Sequence, residues 1–337
     1  MINIGTIGYG YWGPNLVRNF IGNSSTNVSY VCDLDESRLK PLRMKNPQIK
    51  TTVNYKDVLK DDDVHLVAIS TPVSTHYKIA RDALKTGKHV LIEKPMTSCV
   101  SEAEKLIELA ERQGLIIFVD HIFIYTGAVK NIKSLLSSGE IGDLYYFDSV
   151  RVNLGLFQHD VNVIWDLAPH DFSIMDYLID ERPAFISAIG ARCVHGKVED
   201  IAYITVKFKN GLIAHFHVNW MSPVKIRRII MGGSKKMIVF DDLNPDEKVK
   251  VYDKGVALVG ATKDKIYKSL IQYRIGDMYS PRIEGTEALK AEVAHIVDCI
   301  RHKKKPLTDG ESGLRVVRLL ETAQKSLRKN GRFVKYE

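Results

Sequence analysis

"INIGTIGYGYWG", residues 2–13, decides the fold. Residues 2–8 form a run apolar enough for a buried strand, and residues 13–22 open a helical pattern. Between them Gly8, Gly10 and Gly13 spell GxGxxG. Alone this motif is weak, because glycines are common in turns. Between a strand and a helix it is the turn that seats a pyrophosphate on a helix N-terminus. Gly8 permits the tight turn, Gly10 lets a phosphate approach the backbone, and Gly13 lets the helix pack closely on the strand. Gly8, Gly10, Tyr11, Trp12 and Gly13 are therefore candidate cofactor-binding residues.

The next strand, 28–33, ends in Asp33, about twenty residues past Gly13, where an acid accepts hydrogen bonds from an adenosine ribose. A 2′-phosphate would meet a like charge there, which favours NAD over NADP. Arg38 falls further along, on the following helix, too late for a phosphate clamp. Asp35 is better placed than Asp33 to cap that helix.

Strands at 64–70, 88–93 and 115–120 and helices at 36–45, 74–86 and 101–113 continue the alternation. Strands apolar nearly throughout, separated by helices, give a doubly wound parallel α/β layer covered on both faces. Ligands bind such sheets at the carboxyl edge. "ISTPVSTH", 69–76, brings Ser70, Thr71 and Pro72 there, with Ser74 or Thr75 as the cap of the next helix. His76 falls in its first turn, a position more often at the surface than on a ligand. "VLIEKPM", 90–96, brings Glu93, Lys94 and Pro95 to the same edge. Proline restricts its neighbour and tolerates a cis bond, which aims Lys94 sharply. A strand-end salt bridge of Glu93 with a solvated Lys94 is the plainer alternative.

After Asp120 the pattern changes. A helix at 126–138 and a strand at 144–153 precede "IWDLAPHDFSIMDYL", 164–178, within a helical stretch at 162–179. Asp166 and His170 share a helix face four residues apart. A carboxylate beside an imidazole orients it for proton transfer. Pro169 fits a first turn, so the helix is expected to begin near Leu167 with Asp166 as its cap. Alternating runs at 184–193, 200–208, 211–220, 225–232 and 235–240, with a "KNG" turn at 209–211, read as an antiparallel sheet. Residues 254–282 read as irregular, a loop or a partner contact, and helices at 284–302 and 310–329 follow. His215 and His217 share a strand face without a third metal ligand, so no metal site is expected.

Length, 337 residues, suggests about two domains. With 45% hydrophobic and 26% charged residues the chain suits a globular protein. No apolar run reaches membrane-spanning length, and the N-terminus reads as a strand, not a signal peptide. Four scattered cysteines form no CxxC pattern, which suggests reduced thiols and a cytoplasmic setting. Part of the net charge of +8 sits in "RHKKK" (301–305) and "SLRKNGR" (326–332), which read first as solvated helix ends and turns; the sharper alternative is attraction for anionic small molecules, since no nucleic-acid-binding motif accompanies the charge.

"GYGYWG", "STPVSTH", "GKHVLIEKP" (87–95), "SSGEIGDL" (137–144) and "WDLAPHD" (165–171), in this order, resemble the glucose–fructose oxidoreductase / inositol dehydrogenase (Gfo/Idh/MocA) family. The resemblance covers the chain to about residue 180 and only in outline beyond. It implies a Rossmann domain, 1–120, and an α+β substrate-binding and oligomerisation domain, 121–337, with an open, mainly antiparallel sheet. It implies hydride exchange between nicotinamide and a sugar or polyol carbon. Lys94 matches the family's catalytic lysine, and Asp166 and His170 its acid–histidine pair. His170 would move the hydroxyl proton while Lys94 donates to the oxygen, and Glu93 would place the lysine or touch the nicotinamide ribose. "VDHIFIY", 119–125, departs from the family pattern, so nothing is carried over to His121 or Tyr125. The "GYGYWGPNL" wording resembles members acting on nucleotide-linked sugars of surface-polysaccharide synthesis. Arg151, Asn153 and Asn162 are candidate substrate contacts, with "NWMSPVKIRR" (219–228) a further stretch. A homodimer or homotetramer through the second sheet is expected. The alternatives are a free-sugar or inositol dehydrogenase and a catalytically silent NAD-binding or sensing protein. The joint presence of Lys94, Asp166 and His170 speaks against the silent one.

Overall fold

A computed structural model of the chain describes residues 1–155, 161–194, 196–259 and 270–337. It divides into two compact units, Met1–Thr126 with Thr286–Glu321, and Gly127–Gly285 with Thr322–Glu337.

The first unit is built on six parallel strands in the order β3-β2-β1-β4-β5-β6. These are β1 (Ile2–Ile7), β2 (Thr26–Cys32), β3 (Lys50–Thr52), β4 (Leu66–Ile69), β5 (His89–Glu93) and β6 (Ile117–Asp120). β4 is buried along its whole length, as expected of a strand with helices on both faces. Helix α1 (Gly13–Ile21) buries Leu16, Val17 and Phe20. α2 (Glu36–Lys45) starts at Asp35, whose side chain accepts from the Ser37 N–H, the expected cap. α3 (Tyr55–Lys60), α4 (Val73–Lys85) and α5 (Val100–Gln113) follow, and Gly114 closes α5 at φ +64°. The order reverses between β1 and β4, which makes their carboxyl ends the ligand edge of this sheet type. β3 and α3 escape the sequence reading because a three-residue strand with no buried side chain carries no apolar run.

The stretch Thr286–Glu321 belongs to this unit as well. It carries α8 (Ala288–His302), whose Leu289, Val293, Ile296 and Cys299 join the core formed by Leu16, Phe20, Leu91 and Phe118.

The second unit carries a nine-stranded sheet among the described residues, ordered β14-β13-β12-β11-β7-β10-β9-β8-β15. Its strands are β7 (Leu144–Leu154), β8 (Pro183–Ala191), β9 (Ile201–Phe208), β10 (Ile213–Asn219), β11 (Met221–Gly233), β12 (Met237–Asp241), β13 (Val249–Val259), β14 (Leu270–Tyr279) and β15 (Val334–Lys335). All neighbours are antiparallel except β7 and β10. The KNG turn joins β9 to β10, with Gly211 at φ +92°. α6 (Gly127–Ser137) packs on α7 (Val163–Leu178), and α7 covers one face of the sheet. Phe172 of α7 meets Phe216 of β10 edge-on at 4.8 Å.

Two expectations are corrected here. The stretch 254–282 is largely regular where it is described: β13 and β14, the latter ending at Tyr279, pair antiparallel. Lys254, Gly255, Arg274 and Gly276 interrupt the apolar alternation, which hides the strands from a pattern search. Residues 260–269 of that stretch lie outside the described residues. Helix α7 begins at Val163 rather than near Leu167, and its cap is Asn162, whose side chain accepts from the Trp165 N–H at 3.3 Å. Pro169 is therefore inside the helix. α9 (Gly310–Arg328) runs from the first unit into the second.

Candidate active site

At the carboxyl edge of the first sheet the glycine turn is close-packed. Gly8 has φ +97°, and a Cβ there would lie 2.4 Å from the Ser70 carbonyl oxygen. A Cβ on Gly13 would lie 2.2 Å from the Gly8 oxygen. Both positions therefore require glycine. At Gly10 a Cβ would approach only Arg38 Nη1, at 3.2 Å. The backbone there is open, as an approaching phosphate needs. The first turn of α1 holds no acid, and its N-cap position, Trp12, makes no side-chain cap. Its N–H groups and partial positive charge are thus left for an anion. Tyr11 is 88% exposed beside them. These features fit a dinucleotide pyrophosphate.

Asp33 at the end of β2 is buried and braces the turn. Its carboxylate accepts from the Tyr9 N–H at 2.6 Å and the Asp35 N–H at 2.9 Å. Arg38, set aside by the sequence reading, stands 3.6 Å from Asp33 because one helical turn brings it back over the strand end. A cation therefore stands beside the Asp33 carboxylate.

Ser70 ties the next strand end to the turn, its hydroxyl donating to the Gly8 oxygen at 2.9 Å. Thr71 pairs with Thr75 at 2.7 Å, and Pro72 takes the N-cap position of α4, so neither Ser74 nor Thr75 caps that helix. His76 is not at the surface. It is 1% exposed, with Nδ1 3.0 Å from the Pro95 oxygen and Nε2 2.7 Å from the Thr71 oxygen. Burial pushes its pKa down, against the backbone carbonyls that favour the charged form. The ring braces the two ligand-edge loops to each other.

The Lys94–Pro95 bond is cis. The Lys94 N–H donates to its neighbour's Glu93 Oε2 at 3.0 Å, so Glu93 shapes the turn that carries the lysine. Glu93 is register partner of Asp120 on β6. Burial and the Asp120 charge hold the Glu93 carboxyl well above the usual carboxylate range. His121, next in sequence, is 1% exposed, and burial with Lys94 and Arg315 pushes its pKa down to about 3. It is a neutral ring, not a cation, near neutral pH.

In the second unit Asp166 and His170 lie one turn apart on α7, both partly buried. The buried Trp220 donates its indole N–H to Asp166 Oδ2 at 2.9 Å. Arg151, a candidate substrate contact, makes a buried ion pair. Its Nε and Nη2 donate to Asp171 at 2.9 and 2.8 Å, and both residues are buried. Asn162, the helix cap, donates to Glu199 Oε2 and Gln324 Oε1 at 2.8 Å each. Asn153 is partly buried near the end of β7. His215 and His217 stack on the Tyr203 ring, at 6.2 and 4.4 Å between centroids. Asp120 is the residue the sequence reading missed; Trp220 lies inside the stretch 219–228 without being singled out there, and Arg38 is weighed but set aside.

The family model described as "Oxidoreductase family, NAD-binding Rossmann fold" matches residues 2–121, and that of the "GFO/IDH/MocA C-terminal domain" matches residues 129–239. The uncharacterized oxidoreductase YdgJ of Escherichia coli is 30% identical over 73% of this chain and 73% of its own. UDP-N-acetylglucosamine 3-dehydrogenase of Acidithiobacillus ferrooxidans is 27% identical over 76% of each chain. The structure of levoglucosan dehydrogenase in complex with NADH is similar in fold, with TM-score 0.84 at 17% identity over 100% of this chain and 99% of that one. Among the described residues no helix is long and apolar enough to cross a membrane. With a glycine turn fit for NAD and both models matched, the chain belongs to the GFO/IDH/MocA family of NAD-dependent oxidoreductases.

Proposed function

We propose that this protein exchanges hydride between NAD(H) and a secondary alcohol or ketone carbon of a nucleotide-linked sugar. The observation that carries the reading is Lys94 at the carboxyl edge of a dinucleotide sheet, its N–H given to Glu93 Oε2. A plain binding module has no use for an ammonium there. The nucleotide-sugar class rests on the 27% relative and on the net charge of +8, which suits a diphosphate.

Bound NAD supplies the hydride acceptor or donor. Lys94 donates a hydrogen bond to the reacting oxygen and stabilises negative charge as it develops. His170 takes the hydroxyl proton in oxidation and returns it in reduction. Asp166, its carboxylate fixed by Trp220, holds the histidine or a neighbouring hydroxyl in place. The second sheet, whose outward Tyr203, Ile213 and Ile189 are exposed, is the surface we assign to self-association. The test of the function is nicotinamide absorbance with UDP- and dTDP-sugars against free glucose and inositol. Turnover confined to the free compounds would assign the protein to the free-sugar class. No turnover with intact NAD binding would favour a sensor.

A further inference from the structure

The Trp12 indole N–H donates to Asp120 Oδ2 at 2.7 Å, joining the glycine turn to the end of β6. Asp120 is 1% exposed, and among the described residues its other oxygen, Oδ1, receives no hydrogen bond. Glu292 of α8 is also 1% exposed, and no donor reaches either of its oxygens. α8 packs on the turn Ile122–Tyr125 that follows β6, which brings the Glu292 carboxyl within reach of Asp120. Carboxylates have no hydrogen to give, so two ionised acids in this setting would repel, with three buried oxygens unsatisfied. One proton between them turns the repulsion into a hydrogen bond.

We propose that Asp120 and Glu292 are positioning residues for the cofactor turn: Glu292 carries a proton that it donates to Asp120, and Asp120 stays an acceptor that clamps Trp12. The clamp fixes the last residue before α1, and so the N–H groups that receive the pyrophosphate. Other groups around the pair agree with this assignment. Glu93 on β5 is a third buried acid of the group, raised by the same Asp120, and burial comes first among the causes that hold Glu292 well above the usual carboxylate range. Tyr125, in the turn after β6, faces Glu292 and donates to or accepts from Thr308, with Cys299 of α8 beside it. Lys94 acts on Glu93, and Lys94 with Arg315 of α9 acts on His121. The proposal rests on the dinucleotide reading of the glycine turn and is independent of the sugar.

The test uses the full chain and NADH as the probe. Trp12→Phe keeps the apolar packing and removes the N–H, and should weaken NADH binding roughly tenfold. Asp120→Ala should do the same, and Asp120→Asn, whose oxygen still accepts from Trp12, should recover most of the affinity. In infrared spectra the wild type should show a protonated-carboxyl C=O band that loses intensity in Glu292→Gln. Wild-type affinity in Trp12→Phe, or an unchanged band in Glu292→Gln, overturns the proposal. A wild type that binds no NADH would instead overturn the dinucleotide reading beneath it.

Discussion

Trp220 reaches from the end of β10 to α7 and gives its indole N–H to Asp166 at 2.9 Å. Trp220 is 1% exposed and Asp166 is partly buried, so the donor end of this bond is shielded from water. Asp166 is thereby fixed one helical turn from His170.

Trp220→Phe should therefore impair turnover as well as stability. The expected loss is about 1–3 kcal/mol in urea unfolding. A drop in kcat of roughly five- to tenfold should accompany it, about 1–1.4 kcal/mol on the barrier. An unaltered kcat would separate Asp166 from the chemistry.

Lys94→Ala removes the proposed donor to the reacting oxygen. Turnover should fall about a hundredfold or more while NADH fluorescence titration still shows binding. Near-normal turnover would remove the lysine from the mechanism.

Asp33→Ala acts at the ribose position and on the turn at once. NAD affinity should fall roughly tenfold as the Tyr9 N–H loses its acceptor. Arg38, released from Asp33, then meets the 2′-phosphate of NADP, so discrimination against NADP should relax. Asp33→Ala with Arg38→Ala should lose that gain, and a wild type that already prefers NADP would sink the ribose argument.

Arg151 separates a structural ion pair from a substrate contact. Arg151→Leu leaves Asp171 buried and unpaired, and should cost about 3–5 kcal/mol of stability. Replacing both residues with leucine should recover much of it. A stable single variant with a raised KM for substrate would return Arg151 to the binding site.

The pH dependence of stability has opposite signs on its two sides. His121 is held neutral with its pKa down at about 3, so its contribution is full above the unfolded value of about 6.5 and is lost as pH falls toward 3. That limb should steepen by about 1.4 kcal/mol per pH unit from this residue. His121→Asn should flatten it. Glu93 and Glu292 are raised, so the stability they permit is full below about 4.3 and declines as pH rises through their folded values. An acid limb unchanged in His121→Asn would contradict the buried neutral ring.

The first unit was largely legible because its signals are local. A strand, GxGxxG and a helix lie within twenty consecutive residues, and Asp33 and Glu93–Lys94–Pro95 each end a visible strand. What escaped is what depends on distance in sequence. Nothing in the apolar pattern of α8 says that it returns to the first core or that Glu292 comes to lie against Asp120. A lone arginine on a strand likewise carries no mark of its ion-pair partner, and that of Arg151 lies twenty residues away on α7. The cap of α7 was misplaced because Pro169 signals a first turn more loudly than Asn162 does. β13 and β14 were lost to charged and glycine residues on strands whose pairing, not their burial pattern, defines them.

The central claim is that the chain turns over a nucleotide-linked sugar with NAD(H). The most direct measurement is nicotinamide absorbance with purified protein, run in both directions over a panel of UDP- and dTDP-linked sugars, glucose and inositol. The account predicts a change with at least one nucleotide-linked sugar and its loss in Lys94→Ala. A change with the free compounds alone, or one that survives Lys94→Ala, would contradict it.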